Sequence, residues 1–196
     1  MGCGSSKTVA LTNSDHVTYT ASYSESRTTR DADQLLTPEE IVLVRVTWEQ
    51  LKTNLTLANL GKKVFLRIFN LKPDIKKLFP FSDVWGDDLI RHPKFVLHSE
   101  RFMLVVDCCV QNLECIKSEH GEMLANLGRA HVNYKGFSRE NFEVFMKAIW
   151  YVWYHQLKDS MDSEVECAWK KLLLFIIVQQ RAGYDAEKEA PPNGLS

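Results

Sequence analysis

Apolar residues recur at helical spacing through most of this chain, and this periodicity constrains its fold more than any other feature. In the first such segment, one helix face carries Ile41, Val44, Trp48 and Leu51. The residues just before it, Thr-Pro-Glu-Glu at 37–40, provide a capping residue, a proline suited to the first turn and the glutamate of a capping box. No segment alternates polar and apolar residues over the length of a strand, so the sequence predicts an all-α fold.

The same pattern predicts the organisation of the whole chain. Residues 1–33 are rich in Ser and Thr and poor in large apolar side chains, so we expect a flexible N-terminal extension. Residues 34–182 form one helical domain, and residues 183–196 form a flexible C-terminal tail. Within the domain, a first helix is predicted from Pro38 through at least Leu51, and further helices at about 57–70, 73–79, 95–113, 119–132, 138–157 and 162–182, with mostly loop at 79–93.

Composition excludes several classes of protein. The formal net charge is −1 and no basic cluster is present, which argues against a nucleic-acid partner. The five cysteines form neither a small secreted disulfide framework nor a CxxC zinc motif, and no signal-peptide pattern begins the chain, so we expect the reducing cytosolic side. The longest apolar run, Leu172–Val178, is far shorter than the roughly 20 residues that a membrane-spanning helix needs.

Two histidines, His98 and His131, lie on the apolar faces of consecutive predicted helices. Burying an imidazole among apolar side chains is costly unless its nitrogens find partners. One such histidine alone is best explained as a core residue bonded to a carbonyl. Two of them on helices that can fold back against each other favour a shared partner, and neutral imidazole is the commonest metal ligand in proteins. The pair therefore predicts a metal centre or a flat metal cofactor between the helices.

Several separated motifs, in order, resemble the globin family. They are Trp48 in the first helix, Lys72-Pro73-Asp74, Leu78-Phe79-Pro80-Phe81, the segment from His98 to Asp107, and Leu124-Ala125-Asn126-Leu127-Gly128-Arg129-Ala130-His131. The last two resemble the distal and proximal helices of the neuroglobin branch. The resemblance covers roughly residues 34–182, and it implies a globin fold around haem b, with its iron.

The resemblance also implies roles for the two histidines. His131 would be the proximal iron ligand, with its second ring nitrogen held by an acceptor, and His98 would be the distal histidine. Phe102 stands where oxygen-carrying globins usually have a smaller valine, so it would crowd the site for diatomic ligands. The neuroglobin branch often binds its iron with both histidines, so the resemblance also implies that His98 and His131 both bind the iron at rest, with external ligands competing against His98.

The remaining expected pocket residues follow from the same resemblance. Phe79 would pack against the haem face, Phe65 and Phe102 would line the distal side, and Leu127 would line the proximal side. Arg101 either meets a haem propionate through a guanidinium–carboxylate pair or stays a solvated surface residue.

The first seven residues, Met-Gly-Cys-Gly-Ser-Ser-Lys, fit the N-myristoylation pattern. Gly2 would carry the myristoyl group, and Cys3 beside it is the candidate for palmitoylation, which supplies the second signal that stable attachment requires. We therefore expect a lipid anchor on the cytoplasmic side of the plasma membrane. A globin with an acylated start resembles the membrane-associated lineage called globin X.

These features favour a membrane-tethered haem protein that serves redox or gas-sensing chemistry, such as electron transfer or nitrite reduction. Its expected partners are O2, NO, CO or nitrite, the cytoplasmic membrane leaflet, and an electron donor or reductase that the sequence does not identify. An oxygen carrier or store is the alternative, and a non-haem helical adaptor is a third hypothesis from a different class.

Overall fold

The computed structural model describes residues 34–190, which fold as an all-α unit. The predictions for Gly2 and Cys3 lie outside the described residues. Within the described part, no helix is both long and apolar enough to cross a membrane. Its α-helices are α1 Pro38–Asn54, α2 Leu57–Leu71, α3 Gly86–Arg91, α4 Pro93–Gln111, α5 Ile116–Ala130, α6 Asn141–Leu157 and α7 Ser163–Glu189, with 3-10 helices at Pro73–Leu78, Leu113–Cys115, His131–Asn133 and Lys158–Ser160.

Helix α1 begins with the capping box that the sequence predicted. The Thr37 hydroxyl accepts a hydrogen bond from the Glu40 backbone N–H at 3.3 Å, and the Glu40 carboxylate accepts one from the Thr37 N–H at 3.0 Å. Helix α7 begins similarly, since the Asp162 carboxylate accepts from the backbone N–H groups of Glu164 and Val165 at 3.0 and 2.9 Å. Such caps satisfy otherwise unpaired donors and each stabilise the fold by about 1 kcal/mol.

The structure differs from the sequence prediction in two places. The short helix α3 lies inside the stretch 79–93 that was expected to be mostly loop. Helix α7 continues to Glu189 instead of ending at Ala182, so the first half of the expected tail is helical. Packing explains the longer helix, because Tyr184 is only 5 % exposed and its hydroxyl donates to the Phe137 carbonyl at 3.2 Å. Tertiary contacts here outweigh the tendency of Gly183 to end a helix.

Three tryptophans join the first helix to the last two at the centre of the core. Trp48 of α1, Trp153 of α6 and Trp169 of α7 are completely buried, with ring centroids 5.6 to 6.0 Å apart. The Trp169 indole donates to the Thr47 hydroxyl at 2.9 Å, and the Trp48 indole donates to the Asp107 carboxylate at 2.6 Å. The second bond ties α1 to α4, the helix that carries His98.

Two close helix crossings position the helices that carry the candidate ligands. At Gly61 of α2, an added Cβ would lie 2.1 Å from the backbone oxygen of Ser99 in α4. At Gly128 of α5, a Cβ would lie 1.9 Å from the backbone oxygen of Gln180 in α7. Both distances are impossible for real side chains, so glycine allows these backbones to touch. One crossing is next to His98 in sequence, and the other is three residues before His131.

Candidate functional site

A cavity of about 480 Å³ lies among α2, α4, α5 and α6, a size typical of cofactor sites, which span roughly 300–1,000 Å³. Its walls are largely apolar and aromatic. All seven residues that the sequence analysis placed around a cofactor line this one cavity: Phe65, Phe79, His98, Arg101, Phe102, Leu127 and His131. Residues from separate parts of the chain are thus brought together at one site.

His131, at the end of α5, is held in a fixed orientation. Its Nδ1 lies 2.6 Å from the Leu127 carbonyl oxygen. Because a carbonyl can only accept, Nδ1 carries the proton and Nε2 keeps its free lone pair. The ring packs against Phe137 and Phe142, with centroids 4.6 and 5.4 Å away. Burial lowers the pKa of His131, although the bond to Leu127 opposes the shift, so the ring is neutral and ready to bind a metal.

His98, in the first half of α4, has a different environment. Its ring meets Phe65 and Phe79 edge to face, with centroids 4.9 and 5.0 Å away. Within residues 34–190 its imidazole makes no hydrogen bond, so protein contacts fix neither ring nitrogen. Burial of the ring, with smaller contributions from His131 and Arg101, lowers the pKa of His98 to about 4. This imidazole is also neutral near pH 7, and it lines the cavity.

The wall around His98 is built from phenylalanines. Phe65 contacts Phe102 and Phe79 with ring centroids 5.4 and 5.8 Å apart, both edge to face. Phe102 also approaches Phe145 of α6 at 6.4 Å. Edge-to-face contacts of this kind each contribute about 0.5–1.5 kcal/mol beyond simple burial. The Phe102 ring is therefore held in the same aromatic cluster that contacts His98 through Phe65.

Arg101 is exposed at the edge of the cavity, three residues after His98. In the described part of the chain it forms no ion pair with a carboxylate, unlike Arg91, which pairs with Asp87 at 3.1 Å. Its guanidinium is thus available to an acidic group at the cavity mouth. This placement suits the propionate role, and it does not by itself remove the alternative of a solvated arginine.

Sequence reasoning did not single out Phe137, which packs on His131. It lies in an irregular segment between helices, where periodicity gives no information about burial. In the sequence, Phe142 and Phe145 have only the spacing of an ordinary apolar stripe on α6. Their position beside His131 and Phe102 depends on the tertiary fold.

The family model described as Globin matches residues 62–179, more than half of the chain. The chain belongs to the globin family. The match spans both cavity histidines and every predicted pocket residue. It confirms the family that the motifs indicated, and with it the globin fold.

Among curated proteins, this globin is similar to neuroglobins of fish. It is 27% identical to neuroglobin-1 of Oncorhynchus mykiss over 151 residues, which cover 76% of this chain and 92% of that protein. It is also 27% identical to neuroglobin of Danio rerio over 153 residues, which cover 77% of this chain and 94% of that protein. The prediction that the chain resembles the neuroglobin branch agrees with these relatives.

Two solved structures show the same fold. A hexacoordinated haem protein from an anhydrobiotic tardigrade, at pH 4, superposes with a TM-score of 0.70 at 24% identity, covering 76% of this chain and 96% of that one. The hexa-coordinate haemoglobin of Drosophila melanogaster superposes with a TM-score of 0.63 at 22% identity, covering 74% and 93%. Their helices therefore follow the same course as those of this globin.

Haem with its iron is the cofactor of this globin, and the cavity fits it. A flat apolar ring requires apolar and aromatic walls, which this cavity has. His98 and His131 are both neutral, line the cavity and would hold the iron, and Arg101 lies at its edge. Globins bind small gases such as O2, CO and NO, and this family membership excludes the non-haem adaptor hypothesis.

Proposed function

We propose that this globin is a lipid-anchored, hexacoordinate haem protein in which His131 holds the iron and His98 is an exchangeable sixth ligand. One observation carries the proposal: both imidazoles line one cavity, but only His131 is held by a hydrogen bond, from Nδ1 to Leu127 at 2.6 Å. A ring that is fixed by the protein suits permanent ligation. A ring that is packed but not hydrogen-bonded can move away when a competing ligand arrives.

The relatives support the same assignment. The solved structures that share this fold include a tardigrade protein and a Drosophila haemoglobin, both described as hexacoordinate. The curated relatives include fish neuroglobins. Because His98 and His131 line the same cavity, the same two-histidine state is the simplest one for this chain.

Haem iron supplies reversible binding of small ligands and one-electron redox chemistry when it is bound. The residues of this chain favour redox or gas-sensing chemistry over oxygen storage. His98 competes for the sixth position, and the Phe102 ring narrows the space beside it. We propose electron transfer or nitrite reduction as the reaction class, with O2, NO, CO or nitrite as ligands and a membrane reductase as electron donor.

The anchor rests on the first residues of the chain. Gly2 fits the myristoylation pattern and Cys3 is the adjacent palmitoylation candidate. A single acyl chain binds membranes only marginally, whereas two give stable attachment. We propose that dual acylation holds the globin on the cytoplasmic side of the plasma membrane, as in the globin X lineage.

The ferric absorption spectrum of the purified haem protein tests the ligation. The wild type should show a low-spin spectrum, and His98→Leu should convert it to high spin. His155→Leu, the same change at an exposed histidine that does not line the cavity, should stay low spin. A high-spin wild type that binds O2 stably would instead support the oxygen carrier.

Membrane fractionation of the full-length chain tests the anchor separately. Gly2→Ala and Cys3→Ser should each move the protein from the membrane to the soluble fraction. Gly4→Ala makes the same substitution at a position that the acylation pattern leaves free, and it should remain at the membrane. Unchanged partitioning of Gly2→Ala would contradict the anchor and leave the haem ligation unaffected.

A further inference from the structure

A cysteine and a histidine meet on the surface, outside the haem cavity. The Sγ of Cys108, near the end of α4, lies 3.1 Å from Nε2 of His120 in α5. Cys108 is exposed and His120 is partly buried. Neither residue lines the cavity, and the separation of ten positions between His98 and Cys108 on α4 corresponds to about 15 Å along the helix. This pair is therefore a separate feature of the molecule.

The other described cysteines lack this combination of access and a neighbouring base. Cys109 is buried, and burial raises the pKa of its thiol to about 12, so it does not form a thiolate near pH 7. Cys115 is partly buried. Cys167 on α7 is exposed, but within residues 34–190 no imidazole contacts its sulfur. Among these four, Cys108 alone is an exposed residue whose sulfur has an imidazole at hydrogen-bond distance.

The thiolate is the reactive form of cysteine, and an adjacent imidazole promotes it by accepting the proton. The surroundings of the second ring nitrogen of His120, Nδ1, distinguish a catalytic pair from a site of single modification. In the described structure Nδ1 of His120 is buried and has no hydrogen-bond partner. Catalytic cysteine–histidine pairs have a third group that orients the ring through this nitrogen. Without that group, the pair suits a single modification of Cys108 and not repeated turnover.

We propose that Cys108 is a thiol-modification site at which His120 promotes capture of small-molecule disulfides. The Cys108 thiol proton passes to Nε2 of His120, and the thiolate attacks one sulfur of the disulfide. A new S–S bond forms to Cys108 as the original S–S bond breaks, and the departing thiolate takes the proton from the imidazolium. Cys108 is oxidised to a mixed disulfide while half of the small molecule is reduced to a free thiol.

The haem-loaded, full-length protein treated with oxidised glutathione tests this assignment. Peptide mass mapping over time should find the glutathionyl adduct on Cys108 at least about tenfold faster than on Cys167, the exposed reference in the same molecule. His120→Asn removes the base at Nε2 and should lower the Cys108 rate towards that of Cys167. The Cys167 rate and the Soret absorbance report whether the variant stays folded.

Two results would overturn the proposal. One is an equal rate at Cys108 and Cys167 in the wild type, which needs no variant and shows that the contact has no effect. The other is an unchanged Cys108 rate in a folded His120→Asn protein. Cys108→Ser should abolish the fast adduct altogether. None of these measurements depends on the iron ligation, so they fail or succeed independently of the proposed function.

Discussion

The two histidines of the haem cavity are held by different kinds of contact. His131 is bonded through Nδ1 to the Leu127 carbonyl and packed against Phe137 and Phe142. His98, by contrast, makes no hydrogen bond within residues 34–190, and its ring meets Phe65 and Phe79 edge to face. A hydrogen bond fixes both the tautomer and the orientation of an imidazole, whereas aromatic packing does not select the tautomer. The same side chain can thus serve as a permanent ligand or an exchangeable one, depending on its surroundings.

The largest expected effect separates the two histidines directly. His131→Leu should lose haem at least about 100-fold faster than the wild type. Removing a group that only hydrogen-bonds to a metal ligand weakens metal binding by up to about 100-fold, and removing the ligand itself should have a larger effect. His98→Leu should keep its haem, because the fixed ligand remains. Transfer of haem to an acceptor globin, followed at the Soret band, measures both rates. Equal haem loss in the two variants would show that the histidines are equivalent.

The close helix crossings at Gly61 and Gly128 provide the next test. The first positions α4, which carries His98, and the second positions α5, which ends at His131. Gly61→Ala forces a Cβ against Ser99, and Gly128→Ala forces one against Gln180. Each should lower the free energy of unfolding by about 1–3 kcal/mol in urea. Gly61→Ala should change the ferric haem absorption spectrum, which reports whether His98 binds the iron. Gly128→Ala should instead accelerate haem loss, because it displaces the helix that ends at His131.

Gly121→Ala on α5 is the matched control. Its added Cβ would meet only the Gln179 side-chain oxygen at 3.9 Å, which is an ordinary contact. Because alanine restricts the unfolded chain, this variant should be more stable by about 0.4–1 kcal/mol. A loss of stability equal to that of Gly128→Ala would mean that the close crossing is not the cause.

Phe102→Val should widen the cavity next to His98 and leave the surroundings of His131 unchanged. It removes the edge-to-face contacts with Phe65 and Phe145, so unfolding should become easier by about 1–2 kcal/mol. External ligands should then bind faster, since less apolar bulk occupies the space beside His98. Stopped-flow CO binding and urea unfolding check the two effects. Slower CO binding would show that Phe102 holds the cavity open instead of narrowing it.

The smallest effect is expected at the cavity edge. Arg101→Gln should increase the rate of haem loss by only about two- to fivefold, because an exposed charge pair contributes up to about 1 kcal/mol. Arg91→Gln removes an exposed arginine that already pairs with Asp87, and it should leave haem loss unchanged. Identical rates for both variants would identify Arg101 as a solvated surface residue.

Much of this fold follows from the sequence because local signals and tertiary packing agree. The capping box at Thr37 and the apolar stripe of α1 both specify the helix that the structure contains. The end of α7 shows where they disagree. Gly183 indicates a helix end locally, but its lack of a side chain lets α7 touch Ala125 of α5, where a Cβ would lie 1.9 Å from the backbone oxygen. A single sequence does not contain that contact.

Some residues of the candidate site could likewise be predicted from the sequence, and others could not. His98 and His131 stand out because an imidazole on an apolar face needs a partner, and family motifs extend the list to the five lining residues. Phe137 and the Cys108–His120 contact could not be found from the sequence, because each depends on how separate segments meet. Spacing alone also does not distinguish the fixed histidine from the free one. The Leu127 carbonyl makes that difference, and it is visible only in the fold.

The rate of CO binding to the reduced protein, measured against CO concentration, tests the central claim most directly. If His98 must leave before CO binds, the wild-type rate should level off at high CO, at the rate at which His98 dissociates. The rate for His98→Leu should instead rise linearly over the same range and exceed the wild-type rate by at least about tenfold. A linear dependence in the wild type, with no acceleration in His98→Leu, would contradict the assignment of His98 as an exchangeable ligand.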